Sequence, residues 1–311
     1  MTEILENKEK TAMKNHNKHK SKKIFIENIL HFIFLVTGFI SVACVLVITM
    51  YLIFAGLPAI KTVGVGEFLF GKTWASTAKE SSFGILPFIM TSIYGTLGAI
   101  ILGVPIGFFT AVYLAKIAKN RTKSVIETAV GLLAGIPSVV YGLVGMIILV
   151  PAIRKVFNVP DGSGLLAAIL VLTVMILPSI IKVSMTALEA VPKEYEDASL
   201  ALGATPIETY FRVSVPAAKS GIAASVVLGV GRAIGEAMAV MMVAGNAPNM
   251  PKLFESVRFL TTAVASEMSY APEGSLQKQA LFSIALVLFV FIMIINATLN
   301  FFLKHDKESY K

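Results

Sequence analysis

Cysteine is almost missing from this 311-residue chain, and charge is scarce. Cys44 stands alone inside an apolar run, so the chain holds neither a disulfide framework nor a cysteine-based metal site, and redox chemistry is not indicated. Charged residues make up 15% of the sequence against 56% hydrophobic, a balance too apolar for a soluble domain of this size. A water-soluble fold would have to hide several uninterrupted apolar runs of about 20 residues, each long enough to cross a hydrocarbon core of roughly 30 Å as a helix. The formal charge of +8 raises nucleic acid as a partner. Yet the Lys and Arg residues sit in short connections and not on a folded domain with interleaved aromatics, so nucleic acid is excluded. Internal repeats are also missing, and low complexity is confined to the N-terminal tail.

What is present is a series of apolar runs. Residues 1–23 are polar and Lys-rich and are expected to form a disordered tail. The first run, 29–57, is longer than the apolar core of a signal peptide and has no small-residue cleavage site, so it reads as a retained membrane anchor. Runs follow at 85–115, 125–150, 165–185, 221–244 and 279–303. The expectation is an all-α membrane protein with six transmembrane helices over 24–303 and a short tail at 304–311. With the connections assigned alternately to two sides, 18 of the 27 Lys and Arg residues fall on the side of both termini and 8 on the other, Arg232 lying within a span. That asymmetry makes both termini and the 182–220 loop cytoplasmic. Gly and Pro are dense in spans two, three and five, which fits close helix approach and a bundle that rearranges.

The stretch 66–73, GEFLFGKT, satisfies the spacing of a phosphate-binding loop. It is rejected as a nucleotide site, because Glu67, Phe68, Leu69 and Phe70 fill the positions where converging backbone N–H groups need small residues. It also lies on the outer side. Its apolar residues and Trp74 are expected at the membrane interface.

The cytoplasmic loop, about 186–220, has clear local signals. Pro192 followed by Glu194, Glu196 and Asp197 suits a helix start, and Gly203 is placed to end that helix after about residue 202. Thr205-Pro206 with Glu208 spells a capping box opening a second helix toward Val215 and Pro216. In span five, Arg232 and Glu236 are four residues apart, on nearly one face if the helix is continuous. Ionisable residues at membrane depth face a partner or a water-filled path. Two readings stay open: a mutual ion pair that locks packing, or an oxyanion site in which the Arg232 fork binds two oxygens and Glu236 balances its charge. Gly229, Gly231 and Gly235 clear space beside them, and Gly231 with Gly235 forms a small-residue packing face. About 15 residues separate Pro216 from Arg232, roughly 24 Å if helical, so loop and span read as one nearly continuous lever.

Asp197-Ala198-Ser199, then Gly203, then Val213-Ser214-Val215-Pro216 resembles the EAA loop of ATP-binding-cassette importer permeases, with conservative departures at Asp197, Ser199, Val213 and Val215. The run from Gly231 to Val240 and on to Asn246 is similar to span five of the PstC-type phosphate-importer permeases. So are Phe83–Ile89 and Ala134–Leu143; Ala237 stands where such sequences often carry Thr. The resemblance covers about residues 24–303. It implies a type I importer permease fold, a non-catalytic, cofactor-free subunit of a bacterial cell membrane, and a substrate path through Arg232 and Glu236. It further implies ATPase coupling through Asp197, Ala198, Ser199, Gly203, Val213, Val215 and Pro216. The partners implied are a PstA-like sister permease, cytoplasmic ATPase subunits and an extracytoplasmic phosphate-binding protein, all set in membrane lipid. Sulfate or molybdate as the oxyanion, an ATP-independent anion transporter, and a part in a phosphate-sensing complex are the alternatives.

Overall fold

A computed structural model of the chain describes residues 2–308, with side chains over 27–298 and at Phe301. It divides into two units, residues 1–54 and 55–311. Most of helix α1 (Thr2–Val63) makes up the first. No Gly or Pro stands before Gly38, and the Lys and Glu of the tail are good helix formers. The tail backbone is accordingly helical, where the composition alone suggested no fixed structure. Within the apolar run, Thr37, Ser41 and Thr49 hydroxyls donate to the carbonyls of Ile33, Thr37 and Val45 at 2.9, 2.9 and 2.8 Å. Polar side chains thus satisfy themselves on their own helix, as hydrocarbon surroundings demand.

The second unit begins with the end of α1, α2 (Val65–Phe70) and a short hairpin of β1 (Trp74–Ala75) and β2 (Ser82–Phe83). Helix α3 (Leu86–Val112) continues into a π-helical turn, Tyr113–Ile117, and α4 (Asn120–Gly135) follows. Then come α5 (Ser138–Val144), a second π-helical turn (Gly145–Leu149), α6 (Val150–Phe157) and α7 (Leu165–Glu189). The loop holds α8 (Lys193–Ala201), α9 (Pro206–Thr209), a third π-helical turn (Tyr210–Ser214) and α10 (Val215–Ala217). The chain closes with α11 (Lys219–Gly235), α12 (Met238–Val243), α13 (Leu260–Glu267) and α14 (Leu276–Glu308).

Five stretches are long and apolar enough to cross a membrane: 27–63, 86–117, 138–157, 165–189 and 276–298; the pair 206–217 and 219–235, bent by 71°, makes a sixth. This is a multi-pass membrane protein of the expected helical class. Two spans differ from the sequence reading. The third starts at Ser138, because Ile136 precedes Pro137 and is held extended at φ −72, ψ 127, which splits the apolar run into α4 and α5. The fifth is broken, as described below.

Helix α7 is the centre of the main core, packed by α3 and α11. Isoleucines of α7 seat in glycine notches on α3: Ile169 at Gly98, Ile176 at Gly103 and Ile180 at Gly107. A Cβ on Gly103 would lie 2.6 Å from Ile176 Cδ1. The α3 glycines are therefore contact positions that let two helices approach closely. A second core gathers Phe68, Trp74, Phe83, Phe88, Leu260, Leu281 and Ile284. Phe68 and Trp74 are buried there, with Trp74 edge-on to Phe83 at 5.4 Å. These two are interior residues, whereas Phe70 of the same stretch is exposed. The stretch 66–73 lies in α2 and the turn after it, with Gly71 N–H bonded to Glu67 O at 2.8 Å, and forms no phosphate cradle.

Candidate functional site

The break in span five is built from specific bonds. Helix α11 ends at Gly235, and Glu236 turns extended at φ −74, ψ 126. The Glu236 carboxylate accepts the Ala239 backbone N–H at 3.0 Å, holding the first turn of α12, while its carbonyl accepts the Thr261 hydroxyl at 2.8 Å. Both ends of Glu236 are thus engaged in making the break. A continuous helix with Arg232 and Glu236 on one face is not what forms, and among the described residues no carboxylate lies within 4 Å of Arg232. The packing-lock ion pair is therefore absent from this arrangement. Arg232 is half-buried in the last turn of α11, where its charge also favours the negative end of the helix.

Span three brings a second break alongside. The Tyr141 hydroxyl donates to Leu133 O at 2.6 Å, bridging the end of α4 to α5. Next to Tyr141, Gly142 lies so near α12 that a Cβ would sit 2.8 Å from Ala239 Cα. By contrast, a Cβ at Gly231 or Gly235 meets nothing within 4 Å. That small-residue face is open in this chain and not packed.

The segment after α12 is clamped. Val257 N–H donates to Ala244 O at 2.9 Å and Asn246 N–H to Val257 O at 3.1 Å. Arg258 Nε donates to the Asn246 carbonyl and side-chain oxygen, each at 3.0 Å, and its guanidinium stands 5.7 Å over the Phe88 ring. Arg258 also donates to Glu267 Oε1 at 2.5 Å, and the same carboxylate accepts Trp74 Nε1 at 3.1 Å, Ser76 Oγ at 3.0 Å and Gln277 Nε2 at 3.1 Å.

On the loop side, helix α8 matches the expected first helix. Gly203 adopts φ +88, which favours glycine, and turns the chain. The capping box is formed: Glu208 Oε2 accepts Thr205 N–H at 3.0 Å, and Thr205 Oγ1 accepts Glu208 N–H at 3.4 Å. The Thr205 N–H and hydroxyl, both donating to the carboxylate, hold the Glu208 carboxyl below its ordinary range. Asp197, Ala198 and Gly203 are exposed, and the half-buried Ser199 pairs its hydroxyl with Thr209 at 2.9 Å. Val213 and Val215 are half-buried, Val215 against the Ala111 and Val112 cluster at the end of α3, and Pro216 is exposed in α10. Tyr195, Leu200, Leu202 and Ile207 are exposed apolar side chains, Leu202 at 90%. The bend of 71° between 206–217 and 219–235 interrupts the nearly continuous lever next to Pro216, while the helix from Lys219 through Arg232 is unbroken. Glu196 accepts Lys116 Nζ at 2.5 Å and Ser214 Oγ at 2.8 Å. Burial pushes the Glu196 carboxyl up, but these bonds and the Lys116 and Lys193 charges outweigh it and leave it below its usual range.

Tyr141, Thr261, Arg258, Glu267 and the Lys116–Glu196 contact were not found by sequence reasoning. Only Tyr141 stood in a quoted motif. Among the described residues no group of three or more His, Cys, Asp or Glu side chains could hold a metal ion.

Residues 103–305 match the family described as binding-protein-dependent transport system inner membrane component. The chain is 39% identical over 264 residues to the probable ABC transporter permease protein YqgH of Bacillus subtilis, covering 83% of this chain and 85% of that one. It is 33% identical over 298 residues to the phosphate transport system permease protein PstC of Haemophilus influenzae, covering 87% and 92%. Among solved structures, a bacterial alginate ABC transporter aligns with a TM-score of 0.56 at 14% identity, covering 90% of this chain and 95% of that one. The MetNI methionine ABC transporter in an inward-facing conformation aligns at 0.54 and 19%, covering 72% and 94%. These last two share the fold.

Proposed function

The chain belongs to the binding-protein-dependent transport system inner membrane component family, and from that premise we propose that it is the PstC-type permease subunit of an ATP-driven phosphate importer. Arg232 is the observation that carries the reading. It is a guanidinium without a carboxylate within 4 Å among the described residues, beside two broken helices and the open face of Gly231 and Gly235. Arg presents paired donors that match two oxygens of a tetrahedral anion. Glu236 shapes the path by holding the break through Ala239 and Thr261, and its charge balances that of Arg232 when no anion is bound. In a subunit that hydrolyses nothing itself, the exposed turn of Asp197, Ala198 and Gly203, flanked by Leu200, Leu202 and Ile207, is the dock for a cytoplasmic ATPase. Both termini then lie in the cytoplasm. A PstA-like sister permease completes the path, and an extracytoplasmic binding protein delivers the anion to the opposite face.

The test is Arg232→Ala in the co-expressed complex reconstituted into liposomes. ATP-driven phosphate uptake is expected to vanish while the subunits still co-purify. Normal uptake by that variant removes Arg232 from the path. Sulfate or molybdate uptake exceeding that of phosphate by the parent complex would reassign the substrate and leave the permease role standing.

A further inference from the structure

Helix α8 buries none of its residues, so apolar packing does not fasten it to the membrane body. Ser199 ties it to Thr209 of its own loop. The Glu196 side chain reaches outside the loop to Lys116 at the end of span two, and also accepts Ser214 within it. Side-chain exposures of 9% for Lys116 and 18% for Glu196 put this pair largely out of water, where separating the charges is costly. Both donors lie in π-helical turns, Tyr113–Ile117 and Tyr210–Ser214. Such a turn carries one extra residue, re-aims the side chains around it, and is concentrated at functional positions. Two of them converge here on one carboxylate. The covalent route from α8 to span five, by contrast, passes the Gly203 turn and a 71° bend. Through Glu196, in contrast, α8 meets span two directly at Lys116.

We propose that Glu196 and Lys116 are positioning residues that make span two move with α8, so that the loop drives two spans and not span five alone. The inference rests on the reading of residues 193–216 as the ATPase-facing loop. Ser214 is the third member, holding the Glu196 carboxylate between the two routes.

The experiment uses the complete complex in liposomes and reads phosphate taken up per ATP hydrolysed, with ATPase co-purification measured alongside. Glu196→Gln keeps the shape and removes the charge. The ATPase is expected to remain bound and hydrolyse ATP, while phosphate carried per ATP falls several-fold. Lys116→Glu alone is expected to do the same, and the reciprocal pair Lys116→Glu with Glu196→Lys to restore most of the ratio. Unchanged phosphate per ATP in both single variants overturns the inference. So does loss of the ATPase from the Glu196→Gln complex, which would make Glu196 a docking residue. Leu202→Asp probes the docking reading by itself. Release of the ATPase supports that reading, whereas retention with full uptake overturns it and the inference together.

Discussion

Removing the Glu267 carboxylate should loosen the cluster around Trp74 and the broken segment of span five with it. Glu267 and Arg258 have side-chain exposures of only 8% and 13%, and Glu267 also accepts Trp74, Ser76 and Gln277. In Glu267→Ala, Arg258 keeps Asn246 and the Phe88 ring but loses its counter-charge, and three donors lose their acceptor. Breaking a buried pair from one side costs about 3–5 kcal/mol. Glu267→Gln retains a carbonyl acceptor and a similar shape, so its cost should be about 1–3 kcal/mol. Denaturant titration of the purified protein in mixed micelles reads these differences as shifts in midpoint. A double-mutant cycle with Arg258→Gln should show coupling of about 2–3 kcal/mol, since both single variants remove the same contact. Glu267→Ala within about 1 kcal/mol of the parent, a value typical of exposed pairs, would refute the claim that this carboxylate organises the cluster around Trp74.

Three further outcomes follow from the same geometry. Gly103→Val should destabilise by about 1–3 kcal/mol through overpacking against Ile176, and Ile176→Ala in the same chain should recover much of the folded yield by returning the space; equal yields for all three proteins would remove the notch argument. The Glu196 carboxyl lies below its usual 4.5 when folded, beside Lys116, Lys193 and Ser214. Its contribution is complete above that usual value and is lost as pH falls through the lower folded value, so pepsin cleavage within 193–216 should stay slow at about pH 5 and rise only in stronger acid. Tyr141→Phe removes the hydroxyl bridging to Leu133 O, and uptake should fall while subunit assembly persists; full uptake would show that the span-three break needs no bridge.

Much of the loop was legible in the sequence because its determinants are local. Pro192, Gly203 and the Thr205–Glu208 capping box act over three or four residues, and the helices start and stop where those signals stand. The apolar runs marked the spans for the same reason. The break at Glu236 was hidden because the donors that stabilise it are a backbone N–H, at Ala239, and the distant Thr261 hydroxyl, and Gly235 alone reads equally well as helix packing. Ile136 before Pro137 did carry a local sign of a break, masked by the apolar composition on both sides. Trp74 and Glu267 lie 193 residues apart in sequence, and Lys116 and Glu196 lie 80 apart. Such pairs leave no periodic or spacing signature. They emerge only when the helices that carry them are packed.

ATP-dependent uptake by the reconstituted complex, comparing phosphate with sulfate and molybdate in the parent and in Arg232→Ala, tests the central claim most directly. Phosphate should accumulate preferentially in the parent and not in the variant. Equal accumulation by both proteins, or uptake that proceeds without ATP, would contradict the account.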